Sequence, residues 1–283
     1  MVERAYRRPL MSGMHAGWCV GAMSGGLFGA LTAFIGLSYT QTVLGVALAA
    51  VPVALALGRT YLDDGARPAA RTSGGRARLP VAVYVIGALA FMAFLTEGAV
   101  ADWSGLLLHG ELRTAEWVAA LGYPLFEAAM LAGRLVGDRV RTLLGTRRLL
   151  VAASLGTAAG TGVVLGAPAT PVALAGFVFT GLAVCTIVPT LISLAGTAAP
   201  GRSDASVAQV SAMGYGGLLV GPVLIGWLAE ATSLRGGLSL VALFALLIAA
   251  GSAMLPIGAV SDLADVRAAA SRDAADGERA LAA

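Results

Sequence analysis

Residues 148–202 read RLLVAASLGTAAGTGVVLGAPATPVALAGFVFTGLAVCTIVPTLISLAGTAAPGR, and no Asp, Glu, Lys or Arg stands between Arg148 and Arg202. A helix that crosses a bilayer needs about 20 mostly apolar residues. The run is therefore long enough for two crossings. Ala167-Pro-Ala-Thr-Pro171 divides it, because two prolines remove backbone donors and disfavour helix. The apolar character is continuous rather than alternating, which excludes a β-barrel.

The same pattern extends in both directions. Between Arg8 and Arg59 there is again no charged residue apart from the titratable His15, and the polar stretch Gly36-Leu-Ser-Tyr-Thr-Gln41 is the natural turn between two spans. Asp204 to Glu230 encloses one span, and Arg235 to Asp262 another. Leu79–Leu108 and Thr114–Gly133 each make one span, and these two contain acids. The fold predicted is all-α: a polytopic membrane helix bundle of about eight transmembrane helices. Their expected bounds are 13–35, 40–58, 80–108, 114–134, 149–166, 171–197, 206–229 and 236–256.

Composition agrees. Of 283 residues, 58% are apolar and 12% charged, with a mean hydropathy of +0.82. Soluble domains carry roughly 25% charged residues. An ordinary soluble enzyme, a nucleic-acid binder and a disordered chain are excluded, and the net charge of +3 carries no nucleic-acid signal. Cys19 and Cys185 both lie in apolar stretches, form no CxxC site and read as small packing residues. Neither a metal site nor a cofactor is expected.

All 19 basic residues are arginine. With both termini inside, seventeen of them fall on inner segments, and only Arg113 and Arg235 fall outside. That asymmetry obeys the positive-inside rule and supports an even number of spans. It predicts a multi-pass protein of the cell (inner) membrane with both termini cytoplasmic. Residues 63–79 are Gly- and Arg-rich and read as a cytoplasmic linker. The tail after Ala259 carries both signs of charge.

Ala132-Gly133-Arg134-Leu-Val-Gly137-Asp138-Arg139, followed by Arg147-Arg148, resembles the G-x-x-x-D-R-x-G-R-R loop signature of the major facilitator superfamily. Glu97-Gly-Ala-Val-Ala-Asp102-Trp103-Ser104 resembles the seventh helix of its fucose-permease-like bacterial branch, and residues 2–18 resemble that branch's fourth-to-fifth helix junction. The resemblance implies twelve helices in two six-helix halves joined by a cytoplasmic loop. Residues 1–60 would then be the last two helices of the N-terminal half, 61–79 the linker, 80–258 a complete C-terminal half and 259–283 a cytoplasmic tail. The chain would match helices five to twelve, so an incomplete N-terminal half is expected.

Two carboxylates in one span are costly unless each faces a cavity or a partner. Glu97 is therefore the leading candidate for a cavity-facing group that binds a hydroxylated or cationic solute or takes up a coupling proton. Asp102 lies nearer the outer end, about 140° away around the helix. Trp103 reads either as a stacking platform or as part of the interfacial aromatic belt. Glu127 lines the pathway or pairs across helices. His15 is a relay group or a polar packing residue. The resemblance gives Gly133, Arg134, Gly137, Asp138 and Arg139 a conformational role, latching neighbouring helices in one access state. Gly17, Gly21, Gly25 and Gly29 repeat every fourth residue and, with Gly217, Gly221 and Pro222, predict close helix packing. Pro124 and Pro189 predict bends.

The resulting reading is a secondary active transporter of a small sugar-like or drug-like solute, coupled to an ion gradient and working by alternating access. Its partners would be the lipid bilayer, the solute and a coupling proton. The competing reading is a truncated remnant or partner-dependent subunit without independent transport. An intramembrane enzyme is disfavoured, since the chain has no GxSxG elbow, HExxH or P-loop.

Overall fold

A computed structural model describes residues 11–59, 78–199 and 201–255, without the side chains of 11–16 and of Asp138. The proposed tail and most of the linker, as well as the His15 side chain, lie outside the described residues. Among the described residues ten α-helices follow one another: α1 Met11–Phe34, α2 Tyr39–Gly58, α3 Val81–Leu106, α4 Glu116–Ala119, α5 Gly122–Leu144, α6 Thr146–Gly166, α7 Thr170–Val184, α8 Ile187–Ala198, α9 Ser203–Ala231 and α10 Leu234–Met254. A π-helical turn, Leu107–Glu111, extends α3. No strand occurs among the described residues.

Seven stretches are long and apolar enough to cross a membrane, with α3 and its π-turn forming one and α7 and α8 together another. The expected eighth span is α5. At 23 residues it is about 34 Å long, enough to cross. Glu127, Arg134, Asp138, Arg139 and Arg141 make it too polar to be recognised by hydropathy. It packs against α7 on one side and α1 on the other, while Leu135 and Leu143 on its second half stay exposed.

Two expected boundaries are corrected. The helix expected over 114–134 is the short α4 plus α5, and α5 runs ten residues further than expected, to Leu144. Gly133–Arg139 therefore lies on a helix and not in a loop. No proline or glycine pair interrupts the stretch after Gly137, so the helix continues to Gly145. There φ is +75°, a conformation glycine adopts at little cost. The span expected over 171–197 is broken at Cys185-Thr186. Pro189 supplies the cause: it has no N–H to donate to the carbonyl four residues back, that of Cys185.

Between α1 and α2 the expected turn is present. Gly36 takes φ +78°, and Ser38 caps α2 in a reciprocal box with Gln41. None of the residues of α2 is buried.

In lipid, apolar surface gives little drive for helices to associate, so small residues that allow close approach carry the packing. Gly217 of α9 lies directly on the Phe91 carbonyl of α3, and a Cβ at Gly221 would come within 2.9 Å of Leu95. Gly181 of α7 sits against the Phe126 carbonyl of α5 in the same way. Pro222 is accommodated inside α9 without ending it. The N-terminal ridge is different. Gly17, Gly21, Gly25 and Gly29 meet no described atom within 4 Å of a built Cβ. The close approach on α1 is made instead by Gly26, against the Pro124 ring of α5 at 2.9 Å. The four-residue repeat identified a smooth face, but the contact falls on the neighbouring face.

The antiparallel pair α6 and α10 is clipped at both ends by arginines. Arg147, at the start of α6, donates to the Leu255 carbonyl at the end of α10 at 2.7 Å. Arg235, at the start of α10, donates to the Leu165 and Ala167 carbonyls at the end of α6 at 2.6 and 3.0 Å. Each satisfies carbonyls that a helix C-terminus leaves without partners.

Candidate functional site

Glu97 is the seventeenth residue of the 31-residue span Val81–Glu111, close to its middle. The start of α5 is level with Ser104 and Leu108, because a Cβ on Gly122 would touch both side chains at 2.9–3.1 Å. From that level Glu127 lies about 7 Å inward along α5 and Arg134 about 18 Å, while Glu97 lies about 10 Å inward along α3. The three charged groups thus fall within one slab of the membrane interior, with Glu97 between the other two in depth. Arg134 and Glu127 both act electrostatically on Glu97.

Arg134 is held by two neutral acceptors. Its Nη1 donates to the Cys19 thiol of α1 at 2.7 Å. Its Nε donates to the Cys185 carbonyl at 3.4 Å, the group that Pro189 leaves without a helical partner. The Arg134–Cys19 bond ties α1 and α5 together, and the break between α7 and α8 is held by the same guanidinium.

The carboxylates are less well provided for. Glu127 is 4% exposed, and its Oε2 has no hydrogen-bond partner among the described residues. The Oε1 of Glu97 is enclosed and likewise without a partner. Neither carboxylate forms a salt bridge among the described residues; Arg235–Glu111 at 3.8 Å, a pair about one-third exposed, does not involve them.

The other sequence candidates are placed elsewhere. Asp102 is exposed and does not join the cluster. Trp103 turns its ring onto Gly226 of α9, with Cη2 3.4 Å from where a Cβ would stand, and its indole N–H is enclosed without a partner. Its ring is thus packed against α9. Gly133 and Gly137 are buried against Cys185 and Thr186, while Arg139 is exposed. Arg134, read from the sequence as part of a conformational loop, belongs to the interior cluster.

Sequence reasoning missed the cysteines. Cys19 and Cys185 are buried packing residues, as expected, but both also contact Arg134. Cys19 and Arg134 are 115 residues apart, and no local pattern links them. The Pro189 position was the one available signal, since it marks the carbonyl that needs an outside donor. Among the described residues no group of three or more His, Cys, Asp or Glu is arranged to hold a metal ion.

The chain is 31% identical over 253 residues to an uncharacterized MFS-type transporter of Yersinia pestis, an alignment covering 89% of this chain and 65% of that protein. It is 31% identical over 251 residues to an uncharacterized transporter of Sinorhizobium fredii, covering 88% and 66%. Membrane protein MosC of Rhizobium meliloti is 35% identical over 168 residues, covering 59% and 41%. The chain thus spans about 65% of the length of the first two relatives. No protein-family model and no solved structure matches it.

Proposed function

We propose that this chain, a homologue of MFS-type transporters and a multi-pass membrane protein, moves a small solute across the membrane by secondary active transport. The observation that carries the reading is the interior cluster of Glu97, Glu127 and Arg134. Charged groups at that depth cost a few kcal/mol each and are retained for pathways and proton relays. Low dielectric disfavours the charged form of a carboxylate, which suits a group that exchanges a proton with the driving gradient.

The packing supports the domain division read from the sequence. The spans α3, α5, α6, α7–α8, α9 and α10 share one continuous core. Helix α1 joins them chiefly through α5 and α4, and α2 stands apart. Residues 80–258 would form one six-helix half, with α1 and α2 belonging to the other. Rocking of the halves would then work on the contact between Gly26 and Pro124 and on the Cys19–Arg134 bond beside it. The arginine asymmetry supports the inner membrane and cytoplasmic termini.

The test is solute flux in proteoliposomes under an imposed proton gradient, screened over sugars, polyols and amphiphilic drugs. Saturable, gradient-dependent flux is expected, with Glu97→Gln lowering it at least tenfold while the melting temperature stays within a few degrees. Absence of gradient-dependent flux for the folded wild-type chain would refute the reading.

A further inference from the structure

The interior cluster has a charge and hydrogen-bond balance that selects among solutes. Two carboxylates, Glu97 and Glu127, face one guanidinium, Arg134, and the guanidinium spends its described bonds on the Cys19 thiol and the Cys185 carbonyl. Each carboxylate keeps an enclosed oxygen without a partner among the described residues, and Glu127 is more than nine-tenths buried. Such oxygens accept only, and each strongly favours an N–H or O–H donor over no donor at all. With both acids ionised the three groups carry one net negative charge, and a neutral polyol would leave that charge uncompensated. A ligand that brings donors and one positive charge satisfies both requirements.

An aromatic pair also stands one turn from Glu97. Phe94 stands one turn before Glu97 on α3 and is only partly buried, and its ring lies 5.3 Å from that of the exposed Tyr215 on α9. Aromatic faces attract cations, and more strongly where water is excluded.

We propose that the Glu97–Glu127 site binds a protonated primary or secondary amine. The proposal rests on the transport reading for the site's purpose and on the orphaned carboxylate oxygens for its chemistry. The N–H groups matter as much as the charge. A quaternary ammonium has no donor to give the two oxygens and binds more weakly than a primary amine of the same chain length. Arg134 and Tyr123 from α5, Cys19 from α1 and Cys185 from the α7–α8 break lie within electrostatic reach of the carboxylates. Of these only Arg134 is a cation, so a bound amine supplies the missing positive charge.

The test is calorimetric titration of the purified full chain in nanodiscs with n-butylammonium, butyltrimethylammonium and n-butanol. Butylammonium is expected to bind at least tenfold more tightly than either comparator. Glu127→Gln and Glu97→Gln, each close in shape to the acid it replaces, are expected to weaken it at least tenfold. Equal affinity for the three probes, indifference to both substitutions, or no binding would each overturn the proposal. Flux assayed separately keeps the two readings apart. Flux of some solute without amine binding overturns the amine site alone, whereas amine binding without any flux overturns the transport reading alone.

Discussion

Three glycines of α9 stand against α3 at three different separations, which makes the packing argument quantitative. At Gly216 an added Cβ would meet the Phe91 ring at 3.8 Å, an ordinary contact. Alanine there should gain up to about 1 kcal/mol, the helix-propensity difference from glycine. At Gly221 it would meet Leu95 Cγ at 2.9 Å, and a side chain can yield. At Gly217 it would fall on the Phe91 carbonyl oxygen and 3.2 Å from the Leu95 amide nitrogen, both backbone atoms of α3. Relief then requires moving the helix, and overpacking of this kind costs about 1–3 kcal/mol. Gly216→Ala and Gly217→Ala should therefore differ by about 2–4 kcal/mol, with Gly221→Ala between them. At about 2–4 °C per kcal/mol the gap is on the order of 5–15 °C in melting temperature, read by intrinsic fluorescence in detergent. Because Glu97 lies less than two turns beyond Phe91 on the displaced helix, Gly217→Ala should also lower flux. A Gly217→Ala protein melting level with Gly216→Ala would refute the claim that α3 and α9 are in backbone contact.

The arginine clips and the broken span give two more predictions. Arg147→Gln removes one charged hydrogen bond to the end of α10, and Arg235→Gln removes two to the end of α6. Losses of about 1.5–3 kcal/mol and somewhat more are expected. The sites are about 27 Å apart along α6, so the double variant should show additive losses within about 0.5 kcal/mol in denaturant unfolding. Pro189→Ala restores an N–H that can bond the Cys185 carbonyl and displace Arg134 from it. A higher melting temperature with lower flux is expected. Raised stability with unchanged flux would show that the break does not serve the site.

Most of the bundle was legible because lipid imposes one rule on every span: backbone groups must be satisfied within the helix, and side chains must be apolar. A stretch such as 149–166 announces itself by composition alone. Helix α5 obeys a different rule: Glu127 is buried and Arg134 half-buried where it packs between α1 and α7, and these charges are penalised by hydropathy. The acids of α3 and α5 still pointed to a site, because their cost at that depth is evident from single residues. What the sequence could not show was which helix faces meet. The repeat at Gly17, Gly21, Gly25 and Gly29 is smooth, yet the contact with α5 is made at Gly26, where only the three-dimensional path of Pro124 decides.

The cluster shows why the remaining part was hidden. Arg134 sits in a stretch that reads as a loop signature, and its partners are a thiol 115 residues away and a carbonyl. A carbonyl has no letter in the sequence; it becomes a partner only because Pro189 deprives it of its helical donor. Arg134 spends its described hydrogen bonds on these neutral acceptors and forms no salt bridge with Glu97 or Glu127 among the described residues. The broken helix thus helps to place the interior cation, and the Pro189→Ala and Glu127→Gln variants probe that placement from the backbone side and from the acid side.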